Sequence, residues 1–390
     1  MSKIKKFLHR NIYPAFFYLL PIKKNKIIFS SYAGKQYSDS PRCISELLYE
    51  RYPQYDIVWL MNKENINDQI IPSYVRIIEN ESLKAAYELF TAKFWIDNCR
   101  KPLLFRKRKK QIYIQCWHGT PLKLIENDAG NSLGRRYRKY AERDSKNIDV
   151  LLSGNRYSTN IFKGAFQYNG LIIERGTPRN DILIKNQLSI KNEMKKKLDI
   201  FDKKVILYAP TFRNDKDKNG EFQLNNIDPD YILNKLENKY NKECVLLLRF
   251  HPNVSQELNL DEFVEKYKHR VINVSVGWDM QNLICCSDIL ITDYSSVFFD
   301  FALLKKPIFI FALDLKGYLN ERGLYFKIED LPLCVSKTKE ELGEHIENNS
   351  DESLINRTEM LLEHLGNKED GCASLNIINY IVDNTKNNLK

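Results

Sequence analysis

The sequence predicts an α/β protein made of two Rossmann-like domains facing one another across a cleft. Three observations lead there. Short apolar, β-branched runs alternate with helical stretches, the alternation breaks and restarts near 183–204, and the polar residues best suited to chemistry fall just after the predicted strands. Strands that read as continuous apolar runs belong to parallel sheets covered on both faces. With 390 residues, 43% of them hydrophobic, the chain can bury two such cores. The expected division is a basic, aromatic segment over residues 1–24, a first domain over 25–182 and a second over 183–390.

The first half begins with a strand at Lys26–Ser31, followed by a loop holding Gly34 and Ser38-Asp39-Ser40-Pro41. Ser40 suits an N-cap with Pro41 at the first helical position, opening a helix through Glu50. Strands follow at Tyr55–Leu60 and Val75–Ile78, a helix at Ser82–Phe90, and strands at Lys93–Asn98, Ile112–Trp117, Val150–Ser153 and Gly170–Ile173. A basic helical stretch surrounds Arg135–Lys139, and a charged helix follows the segment Gly176–Asp181 and ends near Leu198. The second half repeats the pattern, with strands at Val205–Pro210, Val245–Phe250, Ile289–Asp293 and Pro307–Phe311. Pro229–Tyr240 and Val297–Leu304 carry helical spacing.

Lysine and arginine outnumber acids 60 to 50, a net charge of +10 that favours anionic partners or else is a plain solvated surface. No reading helix or aromatic platform interleaved with basic residues is visible, so a nucleic-acid partner is not expected. The eight cysteines contain no C-x-x-C pair, which gives no signal for zinc or redox chemistry. Cys116 and Cys244 sit in apolar runs as small hydrophobes, in keeping with a reducing cytoplasm.

Residues 1–24 place an apolar run broken by Pro14 between lysine clusters. It is too short to span a bilayer and lacks a signal-peptide cleavage site. Two readings stand: an interfacial segment on anionic lipid at the cytoplasmic face of the membrane, or a first helix packed on the domain. The clusters Arg106–Lys110 and Arg135–Lys139 are candidates for the same anionic surface or a polyanionic acceptor, or are solvated faces.

Four strand ends concentrate the chemistry. Trp117-His118-Gly119-Thr120-Pro121 puts a histidine on a short loop, where its near-neutral titration suits a general base; a structural loop histidine is the plain alternative. Tyr208-Ala209-Pro210-Thr211-Phe212-Arg213 offers a hydroxyl and a guanidinium to an anion. In Arg249-Phe250-His251-Pro252, Arg249 and His251 leave one face of a strand end and suit phosphate, unless they are an ion-paired arginine and a core histidine. Thr292-Asp293-Tyr294-Ser295-Ser296 ends a buried strand and opens a helix, an anion site or ordinary capping. No P-loop is present. Together the clusters describe a site for a nucleotide diphosphate and an attacking hydroxyl.

At these residues the sequence resembles the CDP-glycerol glycerophosphotransferase family of teichoic-acid primases and polymerases. The segments are Ser31–Arg42, Cys116–Lys123 (C-W-H-G-T-P-L-K), Gly176–Asp181 (G-T-P-R-N-D), Tyr208–Arg213 (Y-A-P-T-F-R), Arg249–Pro252 (R-F-H-P) and Asp288–Pro307, covering about 25 to 335 in order. The resemblance implies a GT-B-like fold, CDP-polyol binding mainly by the second domain, and functional histidines matching His118 and His251. Gly119, Thr120 and Arg179 join the substrate-binding set with Thr211, Arg213, Arg249, Thr292, Asp293, Ser295 and Ser296. Arg42 stands where the family usually has lysine, and the long N-terminal extension of the larger polymerases is lacking.

The expected reaction moves glycerol phosphate from CDP-glycerol to a hydroxyl of a lipid-linked teichoic-acid or capsule-type acceptor and releases CMP. No cofactor and no obligatory metal are expected, although Asp293 could hold a metal. CDP-ribitol as donor, a GT-B glycosyltransferase using a nucleotide sugar, and a non-enzymatic basic membrane- or nucleic-acid-binding module remain the alternatives.

Overall fold

A computed structural model describes residues 16–67, 69–101, 107–211, 221–250, 258, 260–315, 317 and 323–386. Thirteen parallel strands form two sheets among them. The first sheet contains β1 (Lys23–Ser30), β2 (Asp56–Met61), β3 (Arg76–Glu79), β4 (Ala92–Asp97), β5 (Ile112–Gln115), β6 (Val150–Ser153) and β7 (Leu171–Glu174). Its order is β3-β2-β1-β4-β5-β6-β7. The second holds β8 (Lys204–Ala209), β9 (Cys244–Leu248), β10 (Val271–Asn273), β11 (Ile289–Thr292), β12 (Ile308–Phe311) and β13 (Cys334–Ser336). Its order is β10-β9-β8-β11-β12-β13. Each order runs outward from a central pair, β1 and β4 or β8 and β11, which is the doubly wound pattern the alternation predicts.

The chain divides into two compact units. One comprises Met1–Gly119, Ile125–Asp181 and Lys368–Lys390; the other comprises Thr120–Leu124 and Ile182–Asn367. This corrects the expected 183–390 domain, because the last helix, Ala373–Lys386, belongs to the first unit. Its Ile377, Ile378 and Ile381 are buried with Ile27, Phe29 and Ile44 of β1 and the helix Asp39–Arg51. Burial of each is worth about 1.5–3 kcal/mol, which holds the chain end there. The short stretch Thr120–Leu124 pairs within the second unit, Leu124 N–H donating to Gly323 and Tyr325 N–H to Leu122.

Local departures have local causes. The helix expected to start at Pro41, after a Ser40 cap, starts at Asp39, after Ser38. The charged stretch after Asp181 forms two helices, Asp181–Lys185 and Gln187–Leu198. β10 and β13 span three residues each, too short to show a period in sequence. The eight cysteines are free, with Cys116 and Cys244 buried as expected. No helix among the described residues is long and apolar enough to cross a membrane.

Candidate active site

In the first unit the strand order reverses between β1 and β4, whose ends Ser30 and Asp97 are partners in register. Ligands in doubly wound sheets bind beyond such a point. The residues that follow these strands meet there. Tyr32 N–H donates to Asn98 Oδ1 (2.8 Å), and the Asn98 carbonyl oxygen lies 2.8 Å from His118 Nδ1. A carbonyl only accepts, so Nδ1 carries the proton and Nε2 keeps its lone pair. Burial pushes His118 below the usual histidine range, and the Asn98 carbonyl and the Asp39 charge pull upward without restoring it. The imidazole is therefore held neutral, in the tautomer of a base.

The loop that carries it is tightly specified. Trp117 has φ 52°, and its ring lies against the His118 ring, tilted by 32° with centroids 4.1 Å apart. A left-handed aromatic residue costs on the order of 1–3 kcal/mol, which its surroundings must offset. Gly119 follows with φ 129°, and a Cβ there would come within 2.6 Å of Arg179 Nη2. Arg179 thus lies against the loop, and its Nη1 donates to the His118 carbonyl (2.9 Å) and to Asp39 Oδ2 (3.0 Å).

Asp39 itself is left-handed (φ 61°) and buried. Burial raises its carboxyl, but the Arg179 guanidinium, the Ser40 N–H and the Tyr32 hydroxyl bring it below its usual value. Its carboxylate joins the loop after β1, through Tyr32, to the turn that carries Arg179. Tyr32 donates its hydroxyl to Asp39 Oδ2 at 2.7 Å, and burial together with that charge lifts its own pKa far up. The phenol stays protonated as a donor.

The second unit repeats the plan. β8 and β11 end together, with Ala209 opposite Thr292. Thr211 N–H donates to Asp293 Oδ1 at 2.7 Å, tying the two strand ends. Thr292 is buried and gives its hydroxyl to the Ala209 carbonyl (2.6 Å), which makes it a brace between strands. Arg249 Nη1 donates to the carbonyls of Val274 (2.7 Å) and Ser275, and burial lowers its pKa against the pull of Asp279. Ser296 precedes the helix Val297–Ala302 without a side-chain cap bond, while Ser295 Oγ accepts from Val297 N–H at 3.4 Å. That helix has only six residues, so the two hydroxyls count for more than its dipole. No group of three or more metal-ligating side chains occurs among the described residues.

The structure therefore brings His118, Gly119 and Arg179 together, and separately Thr211, Thr292 and Asp293. Arg213 and His251 lie outside the described residues, as does Arg106 of the basic cluster. Within that cluster Lys107 pairs with Asp149 (3.0 Å), and Arg108 donates to the carbonyls of Leu20 (2.7 Å) and Phe90 (3.2 Å), so these cations tie the chain to itself. Sequence reasoning overlooked Tyr32, Asp39 and Asn98. Asn98 ends the predicted fourth strand of the first half, and the strand-end argument that singled out His118 applies to it equally. Its Nδ2 is buried and finds no hydrogen-bond partner among the described residues.

Residues 12–383 match the model of the family described as CDP-Glycerol:Poly(glycerophosphate) glycerophosphotransferase. A teichoic acid poly(glycerol phosphate) polymerase of Bacillus spizizenii is 41% identical over 341 residues, 84% of each chain. A teichoic acid glycerol-phosphate transferase of Staphylococcus aureus is 37% identical, covering 96% of this chain and 98% of its own length. The Bacillus subtilis poly(glycerol phosphate) polymerase is 38% identical over 89% of this chain, which spans 48% of that longer protein. The solved structure of the wall teichoic acid polymerase TagF superposes with a TM-score of 0.84 at 31% identity, each chain fully covered. The GT-B-like pair of parallel-sheet units is thus shared with a solved relative. By its match over nearly all of its length, this chain belongs to the CDP-glycerol:poly(glycerophosphate) glycerophosphotransferase family.

Proposed function

We propose that the protein transfers glycerol phosphate from CDP-glycerol to a hydroxyl of a lipid-linked polyol-phosphate acceptor and releases CMP. One observation carries the chemistry: a neutral His118 whose Nδ1 faces a carbonyl, leaving Nε2 to take a proton. The acceptor oxygen forms a bond to the phosphorus that bears glycerol, the bond from that phosphorus to the CMP oxygen breaks, and the acceptor proton passes to His118 Nε2. A base so placed contributes about 10²–10⁴-fold. Thr211, Arg213, Arg249, His251, Asp293, Ser295 and Ser296 are the proposed groups of the second unit for the donor, with the cations and hydroxyls offsetting charge on the two phosphates.

Glycerol is favoured over ribitol by the relatives. Glycerol-phosphate polymerases and a transferase stand at 37–41% identity and a glycerol-phosphate primase of Bacillus subtilis at 28%, whereas a ribitol-phosphate polymerase and a ribitol-phosphate primase of Bacillus spizizenii stand at 25% and 28%. The test is CMP release from CDP-glycerol and CDP-ribitol, with a phospho-polyol acceptor, by wild type and His118→Ala. Acceptor-dependent CMP from wild type alone supports the reading. Release of UDP or GDP from a nucleotide sugar instead would show a glycosyltransferase.

Peripheral attachment to the cytoplasmic face of an anionic membrane is part of the same reading. Phe17 and Tyr18 pack on Tyr87 and Phe90, while Phe16 and Leu19 are 64% and 85% exposed next to Lys23 and Lys24. Apolar groups beside lysines suit a lipid interface. Leu19→Ser with Phe16→Ser should abolish sedimentation with anionic vesicles, and unchanged sedimentation would remove the idea.

A further inference from the structure

Beside β7, one of the two edge strands of the first sheet, lies an open groove of about 690 Å³. Four cations line it, Arg156, Lys163, Arg175 and Lys368, against two carboxylates, Glu174 and Asp370. All four cations are exposed. Arg156 is paired with Glu174 at 3.0 Å, and Asp370 accepts from Cys372 N–H at 2.8 Å. The side chains of Lys163, Arg175 and Lys368 have no hydrogen-bond or ion-pair partner among the described residues. Like charges gathered around one concavity repel one another, and an anionic occupant relieves that cost.

Covalent neighbours link this groove to the His118 loop within the same unit. Lys368 and Asp370 flank Glu369, which accepts from Thr177 N–H (2.8 Å) and from the Asn180 amide (3.3 Å). Those bonds fasten the turn at 176–180, and this turn delivers Arg179 to the His118 carbonyl. Arg175 leads directly into it. One end of the groove is therefore built from the segments that hold the reacting loop, a placement that suits a long anion whose end is being extended.

We propose that this groove is a subsite for the acceptor chain, binding backbone phosphodiesters of a polyol-phosphate polymer behind its reacting hydroxyl. It rests on the transferase reading given above for the identity of the polymer, and on the groove itself for the anionic class. Such a subsite makes acceptor binding depend on chain length and on salt, because each phosphate contact releases counterions.

The experiment compares wild type with Lys163→Ala/Arg175→Ala/Lys368→Ala. These side chains are exposed and lie outside the catalytic set, so the melting temperature serves as the control for folding; should the triple variant melt early, the single reversal Arg175→Glu takes its place. In the first arm, end-labelled soluble poly(glycerol phosphate) is titrated without donor. Wild type should bind it, and the variant about tenfold more weakly with a shallower salt dependence, the size expected for three surface ion pairs. In the second arm, KM for a long acceptor should rise about tenfold with kcat kept, while a single-repeat acceptor should react unchanged. Equal chain affinity in the two proteins, or an equal loss of kcat/KM for long and short acceptors, overturns the proposal. Loss of binding to anionic vesicles with chain binding intact would assign the groove to a membrane and overturn it as well. The binding arm needs no turnover, so failure of wild type to release CMP from CDP-glycerol sinks the donor reading without deciding this one.

Discussion

His118 Nδ1 lies 2.8 Å from the carbonyl oxygen of Asn98, and this backbone contact sets which nitrogen of the ring can act as a base. No side chain can be exchanged to remove it. The tautomer is instead a property of how the loop after β4 meets the loop after β5.

The pH dependence follows from the burial of His118. Its pKa is pushed below the ordinary 6.5, so the neutral form persists to lower pH than for an exposed histidine. The acidic limb of kcat/KM, measured from pH 4.5 to 8, should have its midpoint below that ordinary value. A midpoint above it would mean that another group governs the limb.

Asp39 and Arg179 are both buried and bonded at 3.0 Å. Removing one partner leaves the other as an uncompensated charge, a loss of about 3–5 kcal/mol. Asp39→Ala and Arg179→Ala should each lower the melting temperature strongly, and the double variant by less than the sum. Additive effects in that cycle would show the pair to be uncoupled.

Gly119 tests the closeness of Arg179. Alanine places a Cβ within 2.6 Å of the guanidinium at a backbone φ of 129°. Gly119→Ala should cost about 1–3 kcal/mol and reduce kcat more than it changes donor affinity. Full activity in this variant would show that the loop accommodates the group by moving.

Thr292 provides the opposite case. Its hydroxyl goes to the Ala209 carbonyl, so Thr292→Val should lower stability by about 1 kcal/mol and leave KM for the donor unchanged. A large rise in KM with unchanged melting would place the hydroxyl on substrate.

The parallel two-sheet architecture was legible in the sequence because each buried strand is a short apolar run with a polar end. Ile27–Phe29 and Leu246–Leu248 are fully buried for that reason. Short period-free strands such as Val271–Asn273 escaped, since three residues carry no pattern. His118 was singled out in the sequence because it directly follows the expected strand Ile112–Trp117, the position at which a doubly wound sheet presents side chains to a ligand. Asp39 was not: in sequence Ser38-Asp39-Ser40-Pro41 reads as a loop in which Ser40 caps the next helix, and only folding carries Asp39 to Arg179, 140 positions away.

What the sequence alone determined is therefore the alternation, its restart after residue 182 and the clustering of polar groups at strand ends, all consequences of local periodicity. Tertiary structure decided the return of Ala373–Lys386 to the first unit, the neutral tautomer of His118 and the anchoring of Gly119 beneath Arg179. Those depend on burial and on partners distant in the chain, and neither is encoded within the few residues that a periodicity can span.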